Sequence, residues 1–228
     1  EYLSGNVREK LEWARRSAEL YPEDYAENVR ALKAVQPVDL TASEISVRLG
    51  ATWLPPEIAE QFMFELFGTP RYCQWNIHVH FSQYTGEWNV EGKSYDRTNV
   101  KAYNTYGTSR INGYKIMEET LNLKDVRIFD YIEDENGKKT AVLNKKETAI
   151  AQGKQELIKQ AFADWIWKDP DRREKLTRLY NEKFNSTRPR EYDGSHMSFA
   201  GINPEITLRS HQVNAIAHIL YGGNTLLA

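Results

Sequence analysis

The sequence predicts an α+β protein, mainly helical, with two antiparallel β-hairpins. Three observations carry that reading. Apolar residues recur at helical spacing over residues 5–36, 56–66 and 145–167. Residues 74–92 switch to strict alternation, with Trp75, Ile77, Val79 and Phe81 on one side and Gln74, Asn76, His78 and His80 on the other. Asn136-Gly137 sits between two short strand-like runs, the strongest short-range hairpin signal.

A chain of 228 residues can bury a sizeable core as one domain or two. The formal net charge of -2 gives no global pull toward nucleic acid, so any DNA contact must come from a local patch. One cysteine, Cys73, excludes an intramolecular disulfide framework. No signal peptide and no membrane-length apolar run are present, so a cytoplasmic protein without a membrane partner is expected.

Taken in order, Val7, Leu11, Ala14, Ala18 and Tyr21 share one helical face, and Pro22 opens a second helix carrying Tyr25, Val29, Leu32 and Val35. Their mixed charges read as a solvated surface. Thr41-Ala-Ser-Glu44 has capping-box spacing and predicts a short helix over 42–49, ended by Gly50. Pro55-Pro56 starts the next helix, with Ile58, Phe62 and Leu66 inward. Glu57, Glu60 and Glu65 give it an acidic face, which argues against a DNA-reading helix-turn-helix.

The alternating run turns at Tyr84-Thr-Gly86 and returns through Trp88 and Val90. His78 and His80 stand on one side of that strand, about 7 Å apart from strand rise. Two histidines without a third ligand nearby read as hydrogen-bonded strand residues, not a metal site. Residues 94–108 interleave Tyr95, Tyr103 and Tyr106 with Asn99, Asn104 and Lys101, a composition that can stack on bases or form a polar edge. Ser109 is expected to cap a helix bearing Tyr114, Met117 and Leu121. A hairpin over Asp125–Ile132 and Lys139–Leu143 follows. The long helix over 145–167 turns Leu157, Ile158, Ala161, Phe162 and Trp165 inward.

Residues 171–190 are the most basic stretch, with Arg172, Arg173, Lys175, Arg178, Lys183, Arg188 and Arg190 against Asp171, Glu174 and Glu182. Leu176, Leu179, Tyr180 and Phe184 form its apolar stripe. The basic side chains lie away from much of it, so they can follow a phosphate backbone or form an ordinary solvated face. Residues 185–204 are a loop or linker. Its Ser195-His196 pair lacks a nucleophile elbow, so no catalytic residue is assigned. Ser210 is the expected N-cap of a last helix striped by Val213, Ile216, Ala217 and Leu220, with Gly222-Gly223 as its exit and Asn224–Ala228 as a buried strand.

The strings Trp165-Ile-Trp167, Tyr180-Asn181-x-x-Phe184-Asn185, Tyr192-Asp-Gly-Ser-His196, Leu208-Arg-Ser-His-Gln212 and Leu220–Ala228 occur in this order. Together they resemble the large methyltransferase–helicase proteins of phages, plasmids and integrative elements. Tyr2-Leu-Ser-Gly-Asn-Val-Arg8 and Val47-Arg-Leu-Gly-Ala51 extend the likeness over the whole chain. The resemblance implies an adenine-specific DNA methyltransferase upstream and a superfamily 2, remodeller-like ATPase downstream. It makes this chain the segment between them, ending before the phosphate-binding loop. Gln212 would then contact adenine, with Arg209 beside it. ATP and magnesium would belong to the parent helicase and S-adenosylmethionine to the parent methyltransferase, with no cofactor in the segment itself. No G-x-x-x-x-G-K-[ST] and no Asp-Pro-Pro-Tyr occurs in these residues.

The organisation expected is a helical part over 1–70, a mixed part over 71–144, a helical arm and linker over 145–204, and the start of a motor over 205–228. Two functions compete. One is a non-catalytic DNA-engaging or coupling segment using Arg172, Arg173, Lys175, Arg178, Arg188 and Tyr103. The other is a spacer or protein-interaction domain, packing methyltransferase against motor without touching DNA. Exposed Trp53, Phe64, Trp88 or Trp165 would favour the second.

Overall fold

The computed structural model describes residues 2–133, 139–203 and 205–223. The turn at 135–137 and the strand at 224–228 expected from sequence lie outside them. The fold is α+β and mainly helical, with small antiparallel two-stranded sheets. The contacts divide it into two compact units, Glu1–Asp39 with Asn181–Ala228, and Leu40–Tyr180. These units cut across the boundaries at 70, 144 and 204 read from composition.

The first unit opens with strand β1 (Gly5–Asn6) and helix α1 (Val7–Leu20). The Asn6 side chain accepts from the Glu9 N–H at 3.2 Å and caps the helix. Pro22 starts α2 (Pro22–Ala34), where its missing N–H costs nothing. Val7, Leu11, Ala14 and Leu32 form the small core of this pair. Tyr21, expected on the inner face, is exposed. Residues from the far end of the sequence complete the unit. Strand β6 (Thr187–Arg188) pairs antiparallel with β1, and the Val7 N–H donates to the Ser186 carbonyl at 3.0 Å. Helix α8 (Ser210–Gly222) is held by the Gly194 N–H donating to Asn214 Oδ1 at 2.9 Å and by Tyr192 stacked on His218.

The second unit holds the larger core. Its helices are α3 (Pro56–Phe67), the short α4 (Arg71–Gln74), α5 (Gly113–Leu121), α6 (Lys145–Ile166) and α7 (Pro170–Lys183) as far as Tyr180. A π-helical turn spans Lys101–Thr105. Strand β2 (His78–Phe81) pairs with β3 (Trp88–Glu91), and β4 (Phe129–Glu133) with β5 (Lys139–Leu143), both antiparallel. Phe62 meets Phe162 edge-on at 5.1 Å, and Phe67 meets Tyr114 at 4.8 Å, so aromatic pairs join α3 to α6 and to α5.

Buried polar side chains stitch this unit. Glu118 on α5 accepts from the Val90 N–H of β3 at 2.9 Å and pairs with Lys93 and Lys115. Asp96 is buried and accepts from Tyr114 Oη at 2.7 Å and Asn99 Nδ2 at 2.6 Å. Gln155 on α6 accepts from the Val126 N–H at 3.2 Å and donates to the Lys124 carbonyl at 2.8 Å and Thr120 Oγ1 at 3.2 Å.

Several sequence expectations are corrected. Residues 42–49 are turns, not a helix. The Thr41–Glu44 spacing does make its bond, with the Thr41 N–H donating to Glu44 Oε2 at 2.8 Å, but it closes a turn. A helix that short is marginal, and Gly50 at φ +83° turns the chain against the Leu121 carbonyl instead. Trp75 is 83% exposed because residues 71–74 form a helical turn and the strand begins only at His78. Leu157 is exposed on α6. The cap of α5 is Asn112, not Ser109, its side chain accepting from the Lys115 N–H at 2.9 Å.

Candidate functional site

The start of the basic helix α7 has a defined internal job. Asp169 Oδ1 accepts from the Arg172 N–H at 2.7 Å and caps α7, with Pro170 as first helical residue. Arg172 then turns inward. Its guanidinium lies 3.5 Å from the Trp165 ring centre and donates to the Ile166 carbonyl at 3.0 Å and the Trp165 carbonyl at 2.7 Å. Arg173 Nε donates to the Trp167 carbonyl at 2.8 Å. Trp165 and Ile166 are the last residues of α6 and Trp167 follows it, where carbonyls run out of helical partners; the Trp165 carbonyl also accepts from the Lys168 N–H at 3.1 Å. Two arginines therefore close one helix while opening the next.

Arg172 is only 8% exposed, so it is not available to a phosphate backbone. Lys175 and Arg178 are exposed on α7, but exposed Asp171 and Glu174 alternate with them. That part of the helix presents a balanced surface, not a cationic stripe. Arg188, in the other unit, pairs with Glu191 at 3.1 Å. Tyr103 is half-buried against the core, and its hydroxyl accepts from Asn112 Nδ2 at 3.4 Å.

At the last helix, Arg209 occupies the N-cap position and Ser210 is the first helical residue, so the helix starts one place earlier than expected. Gln212 Oε1 accepts from the Arg209 N–H at 2.9 Å. The glutamine that the family resemblance makes an adenine contact here closes its own helix start. A cavity of about 530 Å³ lies nearby in the same unit, lined by Phe199, Ile206, Leu208 and Val213 among others, without Gln212 or Arg209.

The two strand histidines are each beside a glutamate. His78 Nδ1 is 3.5 Å from Glu60 Oε2, and His80 Nε2 is 3.6 Å from Glu91 Oε2. Glu60 also accepts the Val79 N–H at 2.8 Å, which anchors β2 to α3. Among the described residues, no group of three His, Cys, Asp or Glu side chains comes together as a metal site.

None of the four aromatics whose exposure would favour a protein-interaction role is exposed. Trp88 is buried; Trp53, Phe64 and Trp165 are half-buried against the core. Exposed apolar side chains occur at scattered positions such as Trp13, Trp75 and Tyr84, and five of them gather on the β4–β5 ribbon. Register places Phe129, Tyr131, Ala141 and Leu143 on one face and Ile132 and Val142 on the other. Tyr131 is 73% exposed, and Phe129, Ile132, Val142 and Leu143 are all exposed too. The described ribbon pairs with no third strand. Alternation cannot signal such an element, because it has no buried face.

Sequence reasoning also missed a concavity of about 390 Å³ above α5 and α6. Val47, Leu49, Leu123 and Phe162 supply its apolar lining; Arg48, Lys124 and Lys159 bring positive charge, and Asp125 the one acid. Leu123 is the unusual member. It follows α5 with φ +58°, a left-handed backbone rarely adopted by a bulky side chain.

No curated protein and no solved structure matches the chain. Among the described residues no helix is long and apolar enough to cross a membrane. Residues 48–186, more than half of the sequence, match the family described as Domain of unknown function (DUF8437), and the chain belongs to that family.

Proposed function

We propose that the chain is a non-catalytic docking module of a cytoplasmic, DNA-processing protein of the methyltransferase–helicase type. It joins flanking enzymes through protein contacts rather than by gripping DNA. The observation that carries this reading is the β4–β5 ribbon, which holds five exposed large apolar side chains on an unaccompanied two-stranded sheet. A two-stranded ribbon is marginal alone, and covering its apolar faces with a partner is favourable. The state of α7 argues the same way, since Arg172 serves the fold and Lys175 and Arg178 alternate with acids. In this reading ATP, magnesium and S-adenosylmethionine belong to the flanking enzymes, and DNA is their substrate.

The test places a photo-crosslinking amino acid at Tyr131 or at Lys175 in the full-length natural polypeptide. Crosslinks from 131 to protein segments outside the module, with few nucleotide adducts from 175, are expected. Abundant nucleotide adducts at 175, with none to protein at 131, would overturn the proposal in favour of DNA engagement.

A further inference from the structure

The backbone around Leu123 holds an anomaly that the fold does not require. Helix α5 ends in a Schellman motif: the Leu123 N–H donates to the Thr120 carbonyl at 3.0 Å and the Lys124 N–H to the Glu119 carbonyl at 2.9 Å. The position after the cap in that motif is left-handed and is normally glycine. A non-glycine residue there costs on the order of 1 kcal/mol. Here it is leucine, and more than half of it is exposed. Its side chain gains little from burial in the core, so the cost is not repaid by packing.

What the side chain does is form a wall. Leu123 lines the 390 Å³ concavity on one side and a second hollow of about 600 Å³ on the other. The first is within the size range of small-molecule sites. Its floor is rigid, because the buried Gln155 amide is fully engaged with Val126, Lys124 and Thr120. Its rim carries Arg48, Lys124 and Lys159 against one lining acid, Asp125. Lys159 pairs with the exposed Glu156 at 2.6 Å, and Lys124 lies 3.9 Å from the exposed Glu87. The Arg48 guanidinium has no hydrogen bond or ion pair among the described residues.

We propose that this concavity, walled by Leu123 and rimmed by Arg48, Lys124 and Lys159, binds a small organic anion with an apolar body. The apolar part sits against Leu49, Leu123 and Phe162, and the carboxylate or phosphate meets the rim cations. The site is independent of the docking role of the ribbon.

Octanoate serves as probe, with octanol as its uncharged counterpart, in titrations of the ¹⁵N-labelled chain followed by NMR. Octanoate is expected to give saturable shifts confined to residues around Arg48, Leu123 and Ala163, and octanol much smaller ones. Arg48→Ala combined with Lys159→Ala weakens octanoate binding about tenfold or more, the scale of lost charge-assisted hydrogen bonds. Leu123→Gly is the decisive variant, because it relieves the left-handed strain and keeps the fold while removing the wall. It is expected to melt no lower than the parent and to bind octanoate about tenfold more weakly, the effect of losing one leucine contact. No saturable shifts, equal shifts from octanol, or undiminished binding by Leu123→Gly would each overturn the proposal.

Discussion

Replacing Arg172 with leucine isolates the role of the arginine pair at the start of α7. The guanidinium donates two hydrogen bonds to the α6 carbonyls of Ile166 and Trp165, at 3.0 and 2.7 Å, and stacks 3.5 Å from the Trp165 ring centre. A charge-assisted bond contributes about 1.5–3 kcal/mol, and a partly desolvated stack about 1 kcal/mol more. Leucine recovers part of this by burying its own methyl groups, so the net loss is about 3 kcal/mol. Against a typical total of about 5–15 kcal/mol that is large. In urea, followed by tryptophan fluorescence, the midpoint falls by about 1 M at an m-value of about 3 kcal/mol/M. Arg178→Leu, at an exposed position on the same helix, changes stability by less than about 0.5 kcal/mol. Arg172→Lys keeps the charge but loses the planar fork and falls between the two. Equal midpoints for Arg172→Leu and Arg178→Leu would refute the clamp.

Other outcomes follow from the same packing. Gly50→Ala is strongly destabilising, because a Cβ there would lie 2.1 Å from the Leu121 carbonyl oxygen on a backbone at φ +83°; a thermal melt unchanged from the parent would contradict it. Burial alone would raise the Glu118 pKa, but Lys115, Lys93 and the Val90 N–H hold it below the usual carboxylate range. Burial likewise disfavours the Lys115 charge, but Glu118 and Glu119 hold its pKa above the ordinary lysine value. The Glu118 contribution is present above the unfolded carboxylate value of about 4.3 and lost as pH falls through the lower folded value. The Lys115 contribution is present below about 10.4 and lost as pH rises through the higher folded value. Glu118→Gln should flatten the acid limb of a melting temperature–pH curve, and an unchanged limb would remove Glu118 from the account. Burial and the neighbouring Asp96 carboxylate push the Cys73 thiol pKa up. Cys73 should therefore react with a disulfide reagent only as the protein unfolds, and fast labelling of the native chain would contradict its placement.

Much of the architecture was legible in the sequence for plain reasons. Pro22 separates two helices because proline suits a first turn, and Trp88 with Val90 marks the buried face of β3. The failures share a cause: periodicity records which side a residue would face if the element formed. Trp75 obeys the alternation of the strand but precedes it, and Ile45 and Leu49 reach the core from turns. Arg172 was assigned to the surface by its charge. Yet it stands four and seven residues before Leu176 and Leu179, on the inward side of α7. That spacing was the available signal. Leu123 offered none, because only the backbone angle shows that a glycine position holds a leucine. The concavity it walls joins residues from three distant parts of the sequence and has no motif.

Arg172 and Arg173 serve the fold, and in the proposed function this module does not grip DNA. Fluorescence anisotropy of labelled duplex and single-stranded DNA, titrated with the chain at about 50 and about 200 mM salt, tests it most directly. No saturable micromolar binding is expected at the higher salt, and no change when Lys175 and Arg178 become alanine. Micromolar, salt-sensitive binding that those two substitutions weaken would contradict it.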